Sequence, residues 1–219
     1  MTPAGTIAAP MRHGARGRRA GPRGSVRRVE SALRPANRLF VALDLPREVR
    51  RRLGEAGAAA AAAAPGGRAV PPANLHVTLD FLGRVPPGAW PEVRAAVLEA
   101  LAGPAIASGL GAARARPRPA RARLVAVELL DPEGAIAARS RAVRAAADAV
   151  LGRPSDPVPP WPHVTVARFR NAARVDPGEV RIAEHLFDIS RAALYDSHQS
   201  PAGPPRYREL AAIDLAPVP

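Results

Sequence analysis

The sequence predicts an α+β protein built from two similar lobes, and two observations support this prediction. A His-Val-Thr triplet occurs twice, at His76–Thr78 and at His163–Thr165, in a chain of 219 residues that has only five histidines and four threonines. Around both triplets the same order of elements is expected, namely a strand, a helix and then the strand that contains the histidine. A repeated order indicates a repeated unit, so we expect each lobe to contribute one histidine strand to a shared cleft.

Each triplet lies in a segment with the alternating pattern of a β-strand. Side chains two positions apart share one face of a strand, so His76 and Thr78 are expected to point the same way, and so are His163 and Thr165. The apolar residues between and after them are expected to point into the core. Each histidine strand therefore presents an imidazole and a hydroxyl together.

The first half of the chain is expected to contain two strands and two helices. The apolar run inside Arg38–Pro46 predicts a buried strand, and Pro46 suits the first turn of the helix that follows it. The first histidine strand ends at Gly83, and an apolar stripe predicts a second helix over Pro91–Ala102. Residues 103–120 are rich in glycine, proline and arginine and are expected to form a loop.

The second half is expected to repeat this order and to add further strands. The elements expected there are, in chain order, a strand over Arg123–Leu130, a helix over Glu133–Leu151, the second histidine strand, a strand around Leu186–Tyr195 and a last strand over Arg206–Leu215.

Composition limits the class of protein. Hydrophobic residues make up 47% of the chain, which is enough for a core, and no run of about 18 apolar residues predicts a membrane span. The absence of cysteine excludes disulfides and thiol catalysis and suits the cytoplasm, where we expect the protein to reside. All 32 basic residues are arginine and the net charge is +13, so the protein should attract phosphate polyanions.

The basic charge is concentrated at the start of the chain. Residues 1–36 contain eight arginines and one glutamate, lack apolar periodicity and are expected to form a disordered basic tail. The tail is either an RNA-binding arm or an extension without function. Residues 37–219 are expected to form the two-lobed domain.

Two histidines that face each other across a cleft can act as a general acid and a general base. His76 and His163 are the candidates, and the hydroxyls of Thr78 and Thr165 can hold the oxygens of a phosphate. Arg168 follows the second triplet and either faces the phosphate or pairs elsewhere. The reaction that fits is hydrolysis of a phosphodiester without a metal, and the easiest such substrate is the strained 2′,3′-cyclic phosphate at an RNA end.

Two neighbours of the first triplet and one basic segment need separate interpretations. Asp80 is expected on the face of His76, but neither triplet has acidic residues at ligand spacing, so we expect no metal and no cofactor. Phe81 is expected on the same face, where it either stacks on a base or joins the core. The arginine-rich segment Arg114–Arg123 either guides RNA or is a solvated loop.

Four segments together resemble a known family. They are RLFVALDLP, NLHVTLDFLG, PHVTVAR and the late LYDSHQSPAGPPRYREL. Over residues 37–217 the sequence resembles the two-histidine (2H) phosphoesterase superfamily and, within it, the RNA 2′,3′-cyclic phosphodiesterases, which are also called 2′-5′ RNA ligases. The basic tail and the segment 56–73, rich in alanine, proline and glycine, depart from the family.

The resemblance implies both a fold and a division of roles. The fold is bilobal, and each lobe has an antiparallel sheet and helices around a central cleft. His76 is implied as the proton donor to the leaving 3′ oxygen, and His163 as the proton acceptor that activates water. Thr78 and Thr165 are implied to hold the phosphate. The implied product is a 2′-phosphomonoester, with weak and reversible 2′-5′ ligation as a second reaction.

The sequence leaves the substrate open between three interpretations. The first is an RNA 2′,3′-cyclic phosphodiesterase whose partner is RNA with a cyclic phosphate end, acting as a monomer without an obligate protein partner. The second keeps the chemistry but takes a small nucleotide, such as ADP-ribose cyclic phosphate. The third is an RNA-binding module without catalysis. Loss of hydrolysis without loss of RNA binding in His163→Ala would separate the enzymes from the module.

Overall fold

The structure is a computed structural model that describes residues 26–27, 38–154, 159–200 and 203–217. The described residues form two five-stranded sheets and three α-helices. The strands are β1 Val26–Arg27, β2 Leu39–Asp44, β3 Gly67–Ala69, β4 His76–Gly83, β5 Ile106–Arg116, β6 Ala122–Leu130, β7 His163–Ala173, β8 Leu186–Ile189, β9 Arg191–His198 and β10 Arg206–Asp214. The helices are α1 Arg47–Ala62, α2 Trp90–Leu101 and α3 Ala135–Leu151.

The two sheets are the centres of the two lobes. The first sheet has the strand order β1-β10-β9-β2-β4, the second has the order β3-β7-β6-β5-β8, and neighbouring strands are antiparallel. Each sheet contains one histidine strand, β4 or β7. The predicted α+β fold with two antiparallel lobes is therefore confirmed. The lobes are interleaved along the chain, because β3 joins the second sheet and the late strands β9 and β10 return to the first.

The helices cover the apolar face of each sheet. Helix α1 lies against β3 and β7, whereas α3 lies against β4 and packs on α2. The contact between α1 and β7 is very close, because a Cβ atom on Gly57 would lie 2.5 Å from the carbonyl oxygen of Val166. Apolar residues of the two histidine strands, among them Val77 and Val164, are fully buried beneath these helices. The opposite face of each sheet is left for the histidines.

Both histidine strands contain a β-bulge three residues after the histidine. In β4, Thr78 pairs with Ala42 and Asp80 pairs with Val41, so Leu79 is the extra residue. In β7, the register between β6 and β7 shifts at the equivalent place, and Val166 is the extra residue. A bulge reverses the alternation of side chains beyond it. The fifth residue after each histidine therefore returns to the face of that histidine.

The bulges correct one prediction and explain another. Strict alternation places Asp80 on the face of His76, but in the structure Asp80 lies on the helix-covered face, where its carboxylate accepts a hydrogen bond from Arg144 Nε at 3.1 Å. The expected position of Asp80 was therefore wrong. Phe81 does lie on the face of His76, and Arg168 takes the equivalent place on the face of His163. Both reach these positions only because the strands are bulged.

Two further predictions differ from the structure. Residues 103–120 are not a loop, because Ile106–Arg116 forms β5, an inner strand of the second sheet. Leu186–Tyr195 is not one strand, because the chain breaks at Ser190 and enters the other sheet. The segment 56–73 contains the end of α1 and the short strand β3.

The predicted basic tail lies almost entirely outside the described residues. Within it, Val26–Arg27 pairs with β10 at the edge of the first sheet. None of the described helices is long and apolar enough to cross a membrane.

Candidate active site

His76 begins β4 and is held through both of its ring nitrogens. Nδ1–H donates to the backbone carbonyl of Asn74 at 2.8 Å, and Nε2 lies 3.1 Å from the hydroxyl oxygen of Thr78. Because a carbonyl only accepts, Nδ1 carries the proton and Nε2 is the free acceptor of the neutral ring. The imidazole packs against Phe40 and the edge of Tyr207, with ring centroids 4.9 and 5.3 Å away.

His163 begins β7 in the same way. Its Nδ1–H donates to the backbone carbonyl of Trp161 at 2.7 Å, again two residues earlier in the chain. The indole of Trp161 stacks on the imidazole with centroids 3.8 Å apart and an angle of 18° between the planes. The indole Nε1–H donates to Glu128 of β6 at 3.2 Å. His163 is thus fixed in the same tautomer as His76, with Nε2 available.

The two imidazoles lie within electrostatic reach of each other. Burial lowers the pKa of His76, and the charges of Arg168 and His163 lower it further. The hydrogen bond to the carbonyl of Asn74 and the charge of Asp44 act in the opposite direction. Since β4 and β7 are also in contact, the two histidine strands meet where the lobes join. The structure therefore brings the two predicted catalytic side chains to one site.

Burial also lowers the pKa of His163, but its charged neighbours are different. Arg116 and Arg168 lower the pKa of His163 further, whereas the hydrogen bond to the carbonyl of Trp161 and the charge of Glu128 raise it. In the absence of a bound anion, both imidazoles are therefore biased towards the neutral form.

Arg168 of β7 lies within electrostatic reach of both lobes. Its charge affects both histidines and also opposes the rise that burial causes in the pKa of Tyr207. It is paired in register with Arg68 of β3, so two guanidinium groups lie on the cleft side of this edge. Among the described residues, no carboxylate forms an ion pair with Arg168. The alternative that Arg168 pairs elsewhere in the protein gains no support.

The other predicted side chains line the same cleft. Thr78 and Thr165 are half-buried on the faces of their histidines. Phe81 is 72% exposed at the rim, and its ring centroid is 6.2 Å from that of the buried Phe40. Phe81 is therefore outside the core, and its ring is accessible to a flat ligand.

Behind His76 lies a charged network that the sequence did not reveal. Asp44 is the register partner of His76 and accepts hydrogen bonds from the hydroxyl of Tyr195, at 2.6 Å, and from Arg191. Arg191 also donates to both carboxylate oxygens of Glu209 at 2.8 Å. Burial and the carboxylate of Asp44 raise the pKa of Tyr195, which keeps its hydroxyl protonated as a donor.

Several site residues were not predicted from the sequence. They are Phe40, Asp44, Arg116, Glu128, Trp161 and Tyr207. Trp161 had a usable signal, because it lies two residues before the histidine and so on the same face. Among the described residues, no group of three or more His, Cys, Asp or Glu side chains could hold a metal ion.

Comparison with known proteins agrees with this geometry. A protein-family model described as LigT like Phosphoesterase matches residues 43–121, a range that includes the first triplet and ends before the second. The comparison with curated proteins gave no match.

Solved structures match across both lobes. TT0787 of Thermus thermophilus is 28% identical, with a TM-score of 0.66, and the match covers 81% of this chain and 97% of TT0787. LigT of E. coli complexed with 3′-AMP is 26% identical, with a TM-score of 0.65, and the match covers 83% of this chain and 99% of LigT. With two His-x-Thr strands facing one cleft, the chain is similar to the LigT-like phosphoesterases of the 2H phosphoesterase superfamily, and this similarity supports an activity on phosphodiesters.

Proposed function

We propose that the protein hydrolyses the 2′,3′-cyclic phosphate at an RNA end to a 2′-phosphomonoester. The observation that supports this proposal best is the matched arrangement of His76 and His163. Each Nδ1–H is bound to a carbonyl two residues earlier, so Nε2 is the unprotonated nitrogen of each neutral ring. Two such nitrogens can move the two protons that hydrolysis of a phosphodiester requires, each transfer contributing about 10²–10⁴ in rate.

The reaction assigns a different step to each histidine. Nε2 of His163 accepts a proton from water as the water oxygen bonds to phosphorus. Nε2–H of protonated His76 donates its proton to O3′ as the P–O3′ bond breaks. The phosphate remains on O2′. His163 then carries a proton and His76 has lost one, and proton exchange with solvent restores both.

Three side chains are assigned to the non-bridging phosphate oxygens. The charge of Arg168 acts on both histidines and is permanent, while Thr78 and Thr165 supply hydroxyl donors. In the free protein the hydroxyl of Thr78 is bonded to Nε2 of His76. When His76 is protonated, Nε2 becomes a donor, and this hydroxyl is released to donate to the phosphate.

The bound substrate supplies the charge that His76 needs in order to act as an acid. Burial, Arg168 and His163 lower the pKa of His76 in the free protein. A phosphodiester brings a negative charge beside the imidazole and favours its protonated form. Substrate binding at neutral pH should therefore be accompanied by uptake of a proton.

RNA is the proposed partner because of the surface around the cleft. Phe81 offers a flat ring at the rim, and stacking on an aromatic ring is a common way to hold an unpaired base. The β5–β6 hairpin adds exposed arginines, among them Arg121 and Arg123, to the lobe of His163. The structure of E. coli LigT with 3′-AMP supports a nucleotide phosphate as the ligand. The family resemblance adds weak, reversible 2′-5′ ligation, in which a 5′-hydroxyl replaces water.

A second candidate substrate is a small nucleotide with a cyclic phosphate. It is favoured by the structures of E. coli LigT with 3′-AMP and with NADP⁺, the latter 27% identical to this chain. The chemistry is the same, and only the length of the substrate differs.

The test is hydrolysis of a short RNA with a 2′,3′-cyclic phosphate end, in EDTA, compared with the corresponding cyclic mononucleotide. A 2′-phosphate product and a higher kcat/KM for RNA are expected. A 3′-phosphate product would contradict the assignment of the leaving oxygen, and a preference for the mononucleotide would favour the second candidate.

His163→Ala should lose at least about 10² in rate while RNA binding is retained. Unchanged hydrolysis in this variant would contradict the catalytic assignment.

A further inference from the structure

Three side chains form a stack on the cleft face of the second sheet. The imidazole of His163 lies 3.8 Å from the indole of Trp161, and the guanidinium carbon of Arg116 lies 4.5 Å from the centre of that indole. Because the imidazole and the guanidinium both lie over the indole, they occupy its opposite faces. His163 is on β7 and Arg116 is on β5, with β6 between these strands.

The stack is held in place by hydrogen bonds. One carboxylate oxygen of Glu128 accepts the indole N–H of Trp161 at 3.2 Å, and the other accepts Arg114 Nε–H at 2.8 Å. Trp161 holds His163 twice, because its carbonyl accepts Nδ1–H and its ring covers the imidazole. A rotation of the imidazole would break both contacts, so Trp161 fixes the direction of Nε2.

The charges that face His163 are mostly positive. They are Arg114 and Arg116 of β5, Glu128 of β6, Arg168 of β7 and Arg68 of β3, with His76 on the other lobe. Glu128 is already bonded to Arg114 and to Trp161. Arg116 is held over an aromatic face, an arrangement that favours a cation, and a guanidinium keeps its charge at any working pH.

We propose that Trp161 and Arg116 are positioning residues for His163: the indole orients its Nε2, and the guanidinium keeps the imidazole neutral and able to accept a proton. The inference rests on the proposed function, in which His163 is the base. It is specific to this lobe, because the ring of His76 packs against Phe40 and Tyr207, whereas that of His163 packs against an indole covered by a guanidinium. The register partner is a carboxylate in both lobes, Asp44 for His76 and Glu128 for His163. The direction in which burial and Arg116 move the pKa of His163 agrees with this role.

The test uses Arg116→Gln, which removes the charge, and Arg116→Lys, which keeps the charge without the planar group. Arg118→Gln is the matched control, because it removes the same charge two residues further along. The titration of the His163 imidazole is followed by NMR in the free protein. The pH dependence of kcat/KM is measured on a 2′,3′-cyclic mononucleotide, which has no second phosphate for Arg116 to bind.

In Arg116→Gln we expect the His163 titration and the acid limb of kcat/KM to move together to higher pH. Arg116→Lys and Arg118→Gln should leave both in place. A His163 titration that does not move in Arg116→Gln would overturn the inference, whatever the activity. An increase in KM with an unmoved acid limb would overturn it too, because Arg116 would then be a substrate contact. A titration that moves without the acid limb would instead contradict the proposed role of His163 as the base.

Trp161→Phe tests the positioning by the indole. It keeps an aromatic ring but loses the N–H bonded to Glu128. Small displacements of a catalytic group cost up to about 10²-fold, so we expect kcat to fall by about tenfold with little change in KM. An unchanged kcat would overturn the assignment of Trp161.

Discussion

The two histidine strands contain the same triplet but occupy different places in their sheets. β4 is the edge strand of the first sheet, whereas β7 lies inside the second sheet between β3 and β6. Their bulges are therefore held differently. The carbonyl of Leu79 accepts a hydrogen bond from the hydroxyl of Ser140 at 2.6 Å, and the carbonyl of Val166 accepts one from the backbone N–H of Val70 at 2.8 Å. The bulge and its effect on the following side chains are common to both strands, but the groups that donate to the bulged carbonyl differ.

The two histidine strands have the same backbone geometry, but different side chains surround the two histidines. At the fifth position after the histidine, the first strand has the exposed ring of Phe81 and the second has the charge of Arg168. The register partner of each histidine is a carboxylate, Asp44 or Glu128, but the ring of His163 is also part of a stack that ends in the guanidinium of Arg116. We infer that the first lobe binds the nucleobase and protonates the leaving oxygen, and that the second lobe binds the phosphate and activates the water.

The largest expected effect comes from removing one histidine at a time. His76→Ala and His163→Ala should each lose about 10²–10⁴ in rate on a cyclic phosphate, because each loses one proton transfer. A nitrophenyl phosphodiester has a leaving group that needs no proton. On that substrate His76→Ala should recover most of its activity, whereas His163→Ala should not. Equal losses on both substrates would show that the two histidines do not divide the work.

Phe81 and Arg168, the fifth residues after the two histidines, should recognise different parts of the substrate. Arg168→Ala removes charged hydrogen bonds worth about 1.5–3 kcal/mol, so KM should increase for a cyclic nucleotide and equally for ribose 2′,3′-cyclic phosphate. Phe81→Ala removes base stacking worth about 1–3 kcal/mol, so KM should increase only for the nucleotide. Leu186→Ala is the matched control, because Leu186 is 79% exposed on β8 and should affect neither. Equal effects of Phe81→Ala on both substrates would contradict base stacking.

The close contact between α1 and the bulge of β7 can be tested by substituting Gly57. An alanine Cβ at Gly57 would lie 2.5 Å from the carbonyl oxygen of Val166, so Gly57→Ala should lower the free energy of unfolding by about 1–3 kcal/mol despite its better helix propensity. Gly54→Ala is the control in the same helix, because its Cβ would meet only the side chain of Pro72, at 3.3 Å. Urea denaturation measures both, and equal stabilities would show that α1 can move away from β7.

The first bulge has a side-chain partner that can be removed. Ser140→Ala leaves the carbonyl of Leu79 without the hydroxyl that it binds in the interior. An unpaired buried acceptor costs about 1–3 kcal/mol, and we expect a loss near the lower limit in urea denaturation. If kcat for the cyclic phosphate also falls, the bulge positions His76 and Phe81 in addition to stabilising the fold.

The smallest effect is the contribution of the buried imidazoles to acid stability. Burial lowers the pKa of both His76 and His163 from the ordinary value of 6.5. The unfolded chain therefore binds more protons below about pH 6.5, and the free energy of unfolding should decrease as the pH falls through this range. His76→Gln and His163→Gln should each reduce this decrease between pH 7 and pH 5. An unchanged pH dependence in both variants would contradict the depressed pKa values.

Most of the fold and the two pairs of His and Thr could be predicted because they depend on local alternation. The strand β5 could not, because its Ala-Ser-Gly-Leu-Gly sequence has low strand propensity. Its second half did contain a signal, since Ala113 and Ala115 are buried and alternate with exposed Arg114 and Arg116. The break at Ser190 has neither glycine nor proline to mark it.

The bulges limited what could be said about side-chain direction. Strict alternation assigns Asp80 to the cleft and assigns Arg168, five residues after His163, to the opposite face. The extra residues at Leu79 and Val166 reverse both assignments. The neighbours of the histidines come from distant strands, as Arg116 and Glu128 do for His163. Their approach depends on tertiary pairing, which no local pattern encodes.

The crossing at Ser190 has a consequence for how this protein could be divided. Strand β2 lies in the first sheet, β3 in the second and β4 in the first again. The chain then enters the second sheet at β5 and returns to the first sheet between β8 and β9. Neither lobe is a contiguous stretch of sequence, so no single cut releases one of them intact. A gene fragment that ends at any connecting loop after β3 would encode parts of both sheets. The two halves of the cleft therefore cannot be expressed or exchanged as contiguous modules.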